Sequence, residues 1–411
     1  MTADGRESFG VLRHRDFRLL FLGQGISVIG DRMVVVALAF AVIELGGSAS
    51  DVGLVLAAGT TTLVATLLTG GVVADRTSRR AVMVGADLLR LASQATMAVL
   101  VISGAGEVWM LGALAGVTGA GTGFFGPAST GLLPEIVSDD ELQPANALRS
   151  TAVSASEILG PALAGIVVAA AGAGWAIAVD AATFGASAVC LALLRPPARQ
   201  ARERSSFFTD LREGWVAFSS RRWVWAFVLY FAVANLAWAA WQALGPVVAH
   251  RDLGGAAVWG SVLAAMGAGA LVGSLLATRA RPGRPLLFVA GMEGLFGLPL
   301  VFLAAGAPAA LLAVGTFLAG VGMMLGMSVW ESTLQRHIPR ESLSRVSSYD
   351  WFGSYAVVPL GLALWGGVAD AIGIHTLLWI ATALFAASVL VLLAVPDIWR
   401  FRSAEVRATV T

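Results

Sequence analysis

Acidic side chains inside long apolar stretches are the first residues of this sequence that could do chemistry. Asp31 follows Phe17 by 14 residues, about 21 Å along a helix axis and beyond the middle of a bilayer. Buried carboxyls favour their neutral form, so Asp31 could take up a proton from one side of a membrane and release it to the other. The alternative is that an arginine of another helix neutralises Asp31 permanently. We take Asp31 as the first candidate for proton coupling.

Two further sites carry charge in apolar surroundings. Asp87 and Arg90 lie three residues apart, a spacing that places both on one helical face and predicts an ion pair within the membrane. A structural pair is the favoured interpretation, but Arg90 could also be released to hold Asp31 or an anionic substrate. Glu157, one turn before Gly160, is the candidate for a second proton site.

Other intramembrane acids divide into two groups. Asp180 and Glu293 lie several residues inside apolar runs and have no obvious partner nearby in the sequence. Each is a candidate by default, because an unpaired charge in lipid is costly. Glu331, Asp350 and Asp370 lie near the ends of such runs, so we expect them to be hydrated or to cap helices.

Amide and aromatic side chains mark candidate substrate contacts. Asn235, Trp238, Trp241 and Gln242 follow one another closely in one apolar run, a combination that suits a large amphipathic ligand. Ordinary packing explains Trp238 and Trp241 equally well. Gln24 joins this candidate set, as does Arg90.

The composition requires that a membrane position these residues. The chain has 411 residues, of which 57% are hydrophobic and 13% charged, and its mean hydropathy is +0.79. Soluble domains carry about 25% charged residues. A helix needs roughly 20 apolar residues to cross a bilayer, and twelve such runs occur. The predicted spans are 17–45, 51–74, 81–103, 107–131, 150–171, 175–195, 222–249, 256–278, 285–305, 308–331, 349–370 and 374–395.

The orientation follows from arginine, because positively charged short loops stay in the cytoplasm. All 27 basic residues are arginine. They cluster before the first predicted span, in the tail and in every second connection, whereas Arg251 alone lies on the opposite side. Both termini are therefore predicted to be cytoplasmic. The absence of lysine and the abundance of alanine, glycine and valine indicate a GC-rich bacterial genome, and hence the bacterial cytoplasmic (inner) membrane.

A polar stretch divides the predicted spans six from six. The sequence predicts an N-terminal six-helix bundle over 1–195, a cytoplasmic linker with an amphipathic helix over 196–221, a C-terminal six-helix bundle over 222–395 and a cytoplasmic tail over 396–411. Similar segments recur about 200 residues apart. Many transporters with such a repeat place a site at the midplane between two halves.

Several functions are excluded or disfavoured. A net charge of +1 gives no basic face for nucleic acid. No metal-ligand spacing is present, and the single Cys190 allows no intrachain disulfide. Without lysine there is no phosphate-binding loop of the Walker type, so direct ATP drive is disfavoured. We expect no cofactor and no enzyme activity.

The connection after the second span reads Gly71-Val-Val-Ala-Asp75-Arg76-Thr-Ser-Arg79-Arg80. It resembles the cytoplasmic signature of the major facilitator superfamily, with serine in place of a usual glycine. The resemblance implies that these five numbered residues form a conformational gate. It also implies that Asp75 contacts the start of span eleven, where Ser347 and Ser348 are potential caps.

The fifth span contains a second motif, Gly160-Pro161-Ala-Leu-Ala-Gly165. It resembles the proline-bearing motif of proton-coupled exporters, in which the Gly-Pro pair kinks the helix. Together with residues 17–33 and with Phe125-Gly-Pro127, it resembles the drug:proton antiporter branch, which includes macrolide efflux proteins and the enterobactin exporter. The resemblance implies export.

We therefore predict an all-α membrane protein of two six-helix bundles. Its predicted function is export of small amphipathic molecules by proton antiport with alternating access, the cargo being a drug, a secreted metabolite or a siderophore. A proton-independent facilitator or nutrient importer remains an alternative, and a non-transporting scaffold or sensor is an alternative of another class. The expected partners are a small-molecule substrate, protons and the lipid bilayer, and the expected state is a monomer.

Overall fold

The computed structural model describes residues 10–138, 141–195, 215, 218–338 and 340–402, and the regular elements in these ranges are helical. Twelve helices are long and apolar enough to cross a membrane, as predicted. In the N-terminal part these are α1 (Arg15–Glu44), α2 (Ala49–Arg76), α3 (Arg79–Ser103), α4 (Val108–Ile136), α5 (Leu142–Ala171) and α6 (Ala173–Ala192). In the C-terminal part they are α7 (Arg222–Val248), α8 (Ala256–Ala277), α9 (Pro285–Phe296, continued as Leu298–Ala304), α10 (Ala309–His337), α11 (Arg340–Tyr355, continued as Val358–Ile372) and α12 (Ile374–Ala394).

Two spans that the sequence predicts as continuous are broken. Helix α9 is interrupted at Gly297 and α11 at Ala356 and Val357, in each case just before a proline, Pro299 or Pro359. Proline lacks an N–H and its ring clashes with the carbonyl four residues earlier, which favours a break at these two positions. Helices α4, α5 and α7 nevertheless continue through Pro127, Pro161 and Pro246. Helices α4, α5 and α10 are also longer than predicted, because an apolar run marks only the part of a helix that lies in hydrocarbon.

The chain divides into two compact units. The first comprises Met1–Ala201 with Pro246–Ala264, and the second comprises Arg202–Gly245 with Ala265–Thr411. The end of α7 and the start of α8 thus group with the first unit. Most of the predicted linker 196–221, with its amphipathic helix, lies outside the described residues, as does the tail beyond residue 402.

Small residues bring helices of the first unit into close contact. A side chain at Gly119 of α4 would collide with the backbone of Gly59 in α2, and the hydroxyl of Thr62 donates to the carbonyl of Gly116 across the same interface at 2.7 Å. Because lipid supplies no hydrophobic force between helices, such close packing and hydrogen bonding hold them together. The α2 start is capped by Ser48 and Asp51, which satisfy each other's backbone N–H groups.

Candidate functional site

A buried arginine is the centre of the first unit. Arg90 of α3 is 2% exposed, and its guanidinium carbon lies 4.3 Å from the ring centre of Phe125 and 4.2 Å from that of Phe184. The two aromatic faces attract the cation and replace part of its lost hydration. Arg90 therefore sits in a fixed position among helices α3, α4 and α6.

Two carboxylates pair with this arginine. Arg90 donates a short hydrogen bond to Asp87, one helical turn away, and its Nη1 lies 3.8 Å from Oδ1 of Asp31 in α1. The two acids differ in access, because the Asp87 side chain is fully buried whereas that of Asp31 is 40% exposed. The structure thus pairs Asp87 with Arg90, as their spacing predicted, and places Asp31 beside them at the more exposed edge of the cluster.

A third acid lies in the same cluster. Asp180 of α6 is fully buried, and its only hydrogen bond of standard geometry among the described residues comes from Thr183, which leaves Oδ2 without a donor. Asp180 packs directly against Gly30, where any side chain would collide with its carboxylate. Asp31, Asp87 and Asp180 therefore share one arginine, Arg90. The sequence signalled Asp180 as an acid in an apolar run, but gave no reason to place it beside Asp31.

Glu157 has a different partner. Its carboxylate lies 2.6 Å from Nη2 of Arg32, and both side chains are somewhat more than a third exposed. Gly160 permits this pairing, because a Cβ at that position would lie against the Ile29 carbonyl oxygen and the Arg32 backbone. The predicted kink motif continues with Pro161 and with Gly165, which packs against Ala256 and Gly260. It thus brings α5 close to α1 beside Asp31, and close to the start of α8.

The candidate substrate residue Gln24 is held by side chains of the same unit. It is 8% exposed, and its amide donates to the Ser129 hydroxyl at 2.7 Å. Arg149 donates to the same hydroxyl at 3.0 Å. The Gln24 amide group is thus hydrogen-bonded to Ser129 of α4.

The predicted gate lies where α2 gives way to α3. Arg79 donates to the carbonyl of Gly131 and forms an ion pair with Glu135 at 3.0 Å. Arg80 donates to the carbonyls of Leu191 at 3.0 Å and Ala192. Arg79 thus contacts the C-terminal turns of α4 and Arg80 the last turn of α6, where a positive charge interacts favourably with the helix dipole.

The side chain of Arg76 and the surroundings of Gly71 are also described. Arg76 is exposed, and a Cβ at Gly71 would come within 3.9 Å of Pro127. The side chains of Asp75 and Ser348 lie outside the described residues, and so does their predicted contact.

The second unit contains an open cavity. Of the four candidates on α7, only Asn235 lines it, and its amide donates to the Ser354 carbonyl at 3.1 Å. Trp238 is stacked on Phe296 at 4.2 Å and Trp241 is 1% exposed, so both are packing residues here. Gln242 is half-buried. The lining consists of Phe231, Ala234, Asn235, Glu293, Phe296, Met323, Met327, Trp330, Asp350, Trp351, Ser354 and Tyr355.

Two acids line this cavity: Glu293, which the sequence offered as a candidate by default, and Asp350, which it did not single out as a site residue. Glu293 accepts a hydrogen bond from the Tyr230 hydroxyl at 3.1 Å, and Asp350 accepts one from the Trp330 indole at 2.9 Å. The expectation that Asp350 is hydrated or caps a helix is wrong, because it is 6% exposed. The expectation rested on the position of Asp350 at the edge of an apolar run. Helix α11 begins at Arg340, well before that run, so Asp350 lies inside the helix. Glu331 is exposed, as expected, and the Asp370 side chain lies outside the described residues.

Twelve helices that are long and apolar enough to cross a membrane, with charges paired inside them, define a polytopic membrane protein. Solved structures support this class at the level of fold. A bacterial homologue of the iron transporter ferroportin, in an inward-facing state, matches with a TM-score of 0.74 at 16% identity over 92% of this chain and 98% of that one. The nucleoside transporter NupG matches with a TM-score of 0.74 at 12% identity over 93% and 99%.

Residues 6–407 match the transmembrane secretion effector family, and the chain belongs to this family of the major facilitator superfamily. Macrolide efflux protein A of Streptococcus pyogenes is 24% identical over 87% of this chain and 90% of its own. The multidrug efflux pump Tap of Mycolicibacterium fortuitum is 28% identical over 84% and 87%. The enterobactin exporter EntS of Shigella boydii is 28% identical over 96% and 95%. The protein is therefore a multi-pass membrane transporter and not an enzyme.

Proposed function

We propose that this protein exports small amphipathic molecules by proton antiport with alternating access. The relatives, whose names specify macrolide, multidrug and enterobactin efflux, support export of a drug, a secreted metabolite or a siderophore. The distribution of arginine supports a location in the bacterial inner membrane with both termini in the cytoplasm. We further propose that the protein works as a monomer.

The observation that carries the proposal is the position of Asp31 at the accessible edge of a buried charge cluster. Ionised Asp31 attracts Arg90 across 3.8 Å, which corresponds to about 4 kcal/mol at an effective dielectric constant of 20 and to less where water reaches Asp31. Protonation removes this attraction. A proton that enters from outside can therefore release Arg90 from α1, and loss of the proton to the cytoplasm restores the pair.

Two neighbouring features belong to the same proposal. The Glu157–Arg32 pair, at 2.6 Å, gives a second carboxyl that can exchange a proton close to Asp31. The signature residues Gly71, Asp75, Arg76, Arg79 and Arg80 act as the conformational gate, with Arg79 and Arg80 tying α3 to the ends of α4 and α6. Proton binding would thus alter contacts of α1.

The test is efflux of a panel of fluorescent compounds from proteoliposomes, with and without an imposed pH gradient. Asp31→Asn should abolish the response to the gradient but retain substrate binding, because the amide cannot exchange a proton. Asp252→Asn is the matched control, since it removes one acid from an exposed turn after α7 and should leave transport unchanged. Transport that ignores both the gradient and Asp31→Asn would refute proton coupling and favour a facilitator. Absence of transport for every compound would favour a scaffold or sensor.

A further inference from the structure

The cavity of the second unit places two carboxyl groups on an aromatic wall. Glu293 is 7% exposed and Asp350 is 6% exposed. Among the described residues, Glu293 accepts a hydrogen bond from Tyr230 and Asp350 accepts one from Trp330. An ionised carboxylate can accept about four hydrogen bonds, so both acids retain acceptor capacity. The Ser354 hydroxyl, beside Asp350 and 4% exposed, makes no hydrogen bond of standard geometry with the described residues.

The cavity does not supply the charge that these acids need. None of the described residues that line it is basic, in contrast to the first unit, where Asp87 meets Arg90 and Glu157 meets Arg32. Buried carboxylates require a cation or dense hydrogen bonding to offset their lost hydration. A ligand that carries a positive charge would meet this need.

The rest of the lining suits the body of such a ligand. Trp351 and Tyr355 are 52% and 45% exposed, and their rings are stacked at 5.1 Å. The faces of tryptophan and tyrosine attract organic cations. Met323 and Met327 add flexible apolar surface that adapts to different shapes.

We propose that this cavity is a binding subsite for organic cations, such as a protonated or quaternary amine on an apolar body, with Glu293 and Asp350 as its counter-charges. The proposal rests on the export function above and specifies its cargo class. It distinguishes between cargo classes that the names of the relatives leave open. A polyanionic siderophore would meet like charge in this cavity, whereas an organic cation would not. Asn235, whose amide is fixed on the Ser354 carbonyl, forms part of the neutral polar wall.

The test compares two probes of the same shape and opposite charge, tetraphenylphosphonium and tetraphenylborate. Their binding to the purified full-length protein in lipid nanodiscs is measured at pH 8 by equilibrium dialysis, with empty nanodiscs as the correction for partition into lipid. Tetraphenylphosphonium should bind saturably. Glu293→Gln and Asp350→Asn should each weaken it by at least about tenfold, about 1.4 kcal/mol, whereas Asp252→Asn should leave it unchanged. Tetraphenylborate should not bind saturably.

A second measurement uses the unaltered protein, in case a variant does not fold. Dicyclohexylcarbodiimide modifies carboxyl groups in apolar surroundings, and mass spectrometry locates the modified residues. Tetraphenylphosphonium should protect Glu293 and Asp350 from modification, and tetraphenylborate should not. Unchanged affinity in both variants, or no protection by the cation, would overturn the subsite.

The two proposals fail separately, because binding is measured without a gradient. Saturable binding of the cation at Glu293 and Asp350, without gradient-driven efflux, would overturn the antiport alone. Gradient-driven efflux, without binding of the cation at these acids, would overturn the subsite alone.

Discussion

Replacing the two fully buried acids of the Arg90 cluster, Asp87 and Asp180, by their amides should have unequal consequences for stability. Asp87→Asn keeps the shape of the side chain but removes the closest counter-charge of a guanidinium that is 2% exposed. Breaking a buried pair in this way costs about 3–5 kcal/mol. Asp31 at 3.8 Å and the rings of Phe125 and Phe184 remain, so we expect about 2–3 kcal/mol.

Asp180→Asn should change the free energy of unfolding by less than about 1 kcal/mol. Asp180 has one carboxylate oxygen without a hydrogen-bond donor, and it adds a third acid to a cluster with one arginine. An amide of the same size removes that surplus and leaves the contact with Thr183 possible. Relief of an unsatisfied buried group offsets the loss of attraction to Arg90.

The assay is reversible unfolding of the purified protein in mixed micelles by titration with dodecyl sulfate, followed by far-UV circular dichroism. The double variant Asp87→Asn with Arg90→Met completes the comparison, because replacing both partners of a buried pair is far less costly than removing one. If Asp180→Asn cost as much as Asp87→Asn, Asp180 would be an essential counter-charge of Arg90. The division of the cluster into one structural pair and one surplus acid would then be wrong.

Two further predictions concern packing and use the same unfolding assay. Arg79→Ala should lower stability by about 1–3 kcal/mol, because the Gly131 carbonyl and Glu135 each lose a hydrogen-bond donor. Arg76→Ala, at an exposed position, should change stability by less than about 0.5 kcal/mol. Equal effects of the two substitutions would argue against stabilisation of α4 by Arg79. Gly30→Ala should lower stability by about 1–3 kcal/mol, because the new methyl group collides with Asp180 and Thr183. Gly85 has open space around it, so Gly85→Ala should be neutral or stabilising by up to about 1 kcal/mol. A neutral Gly30→Ala would contradict the close approach of α1 to Asp180.

Hydropathy predicted the helices well because membrane helices must be about 20 apolar residues long and must satisfy their own backbone hydrogen bonds. It missed the breaks at Gly297 and at Ala356, since apolar length contains no information on the hydrogen-bond ladder. The i, i+3 spacing placed Asp87 and Arg90 within reach of each other, because that contact is local. The function of the predicted gate, coupling and substrate residues remains a prediction.

The sequence by itself predicted twelve membrane spans, arginine clustered in alternate connections, and acids where lipid disfavours charge. These properties depend on composition and on distance along one helix. Only the tertiary structure decided that Asp31 and Asp180 meet Arg90, that Glu157 pairs with Arg32 and that Asp350 lines a cavity. The physical reason is that such contacts depend on how each helix is rotated and how closely it packs, which small residues such as Gly30 and Gly160 control.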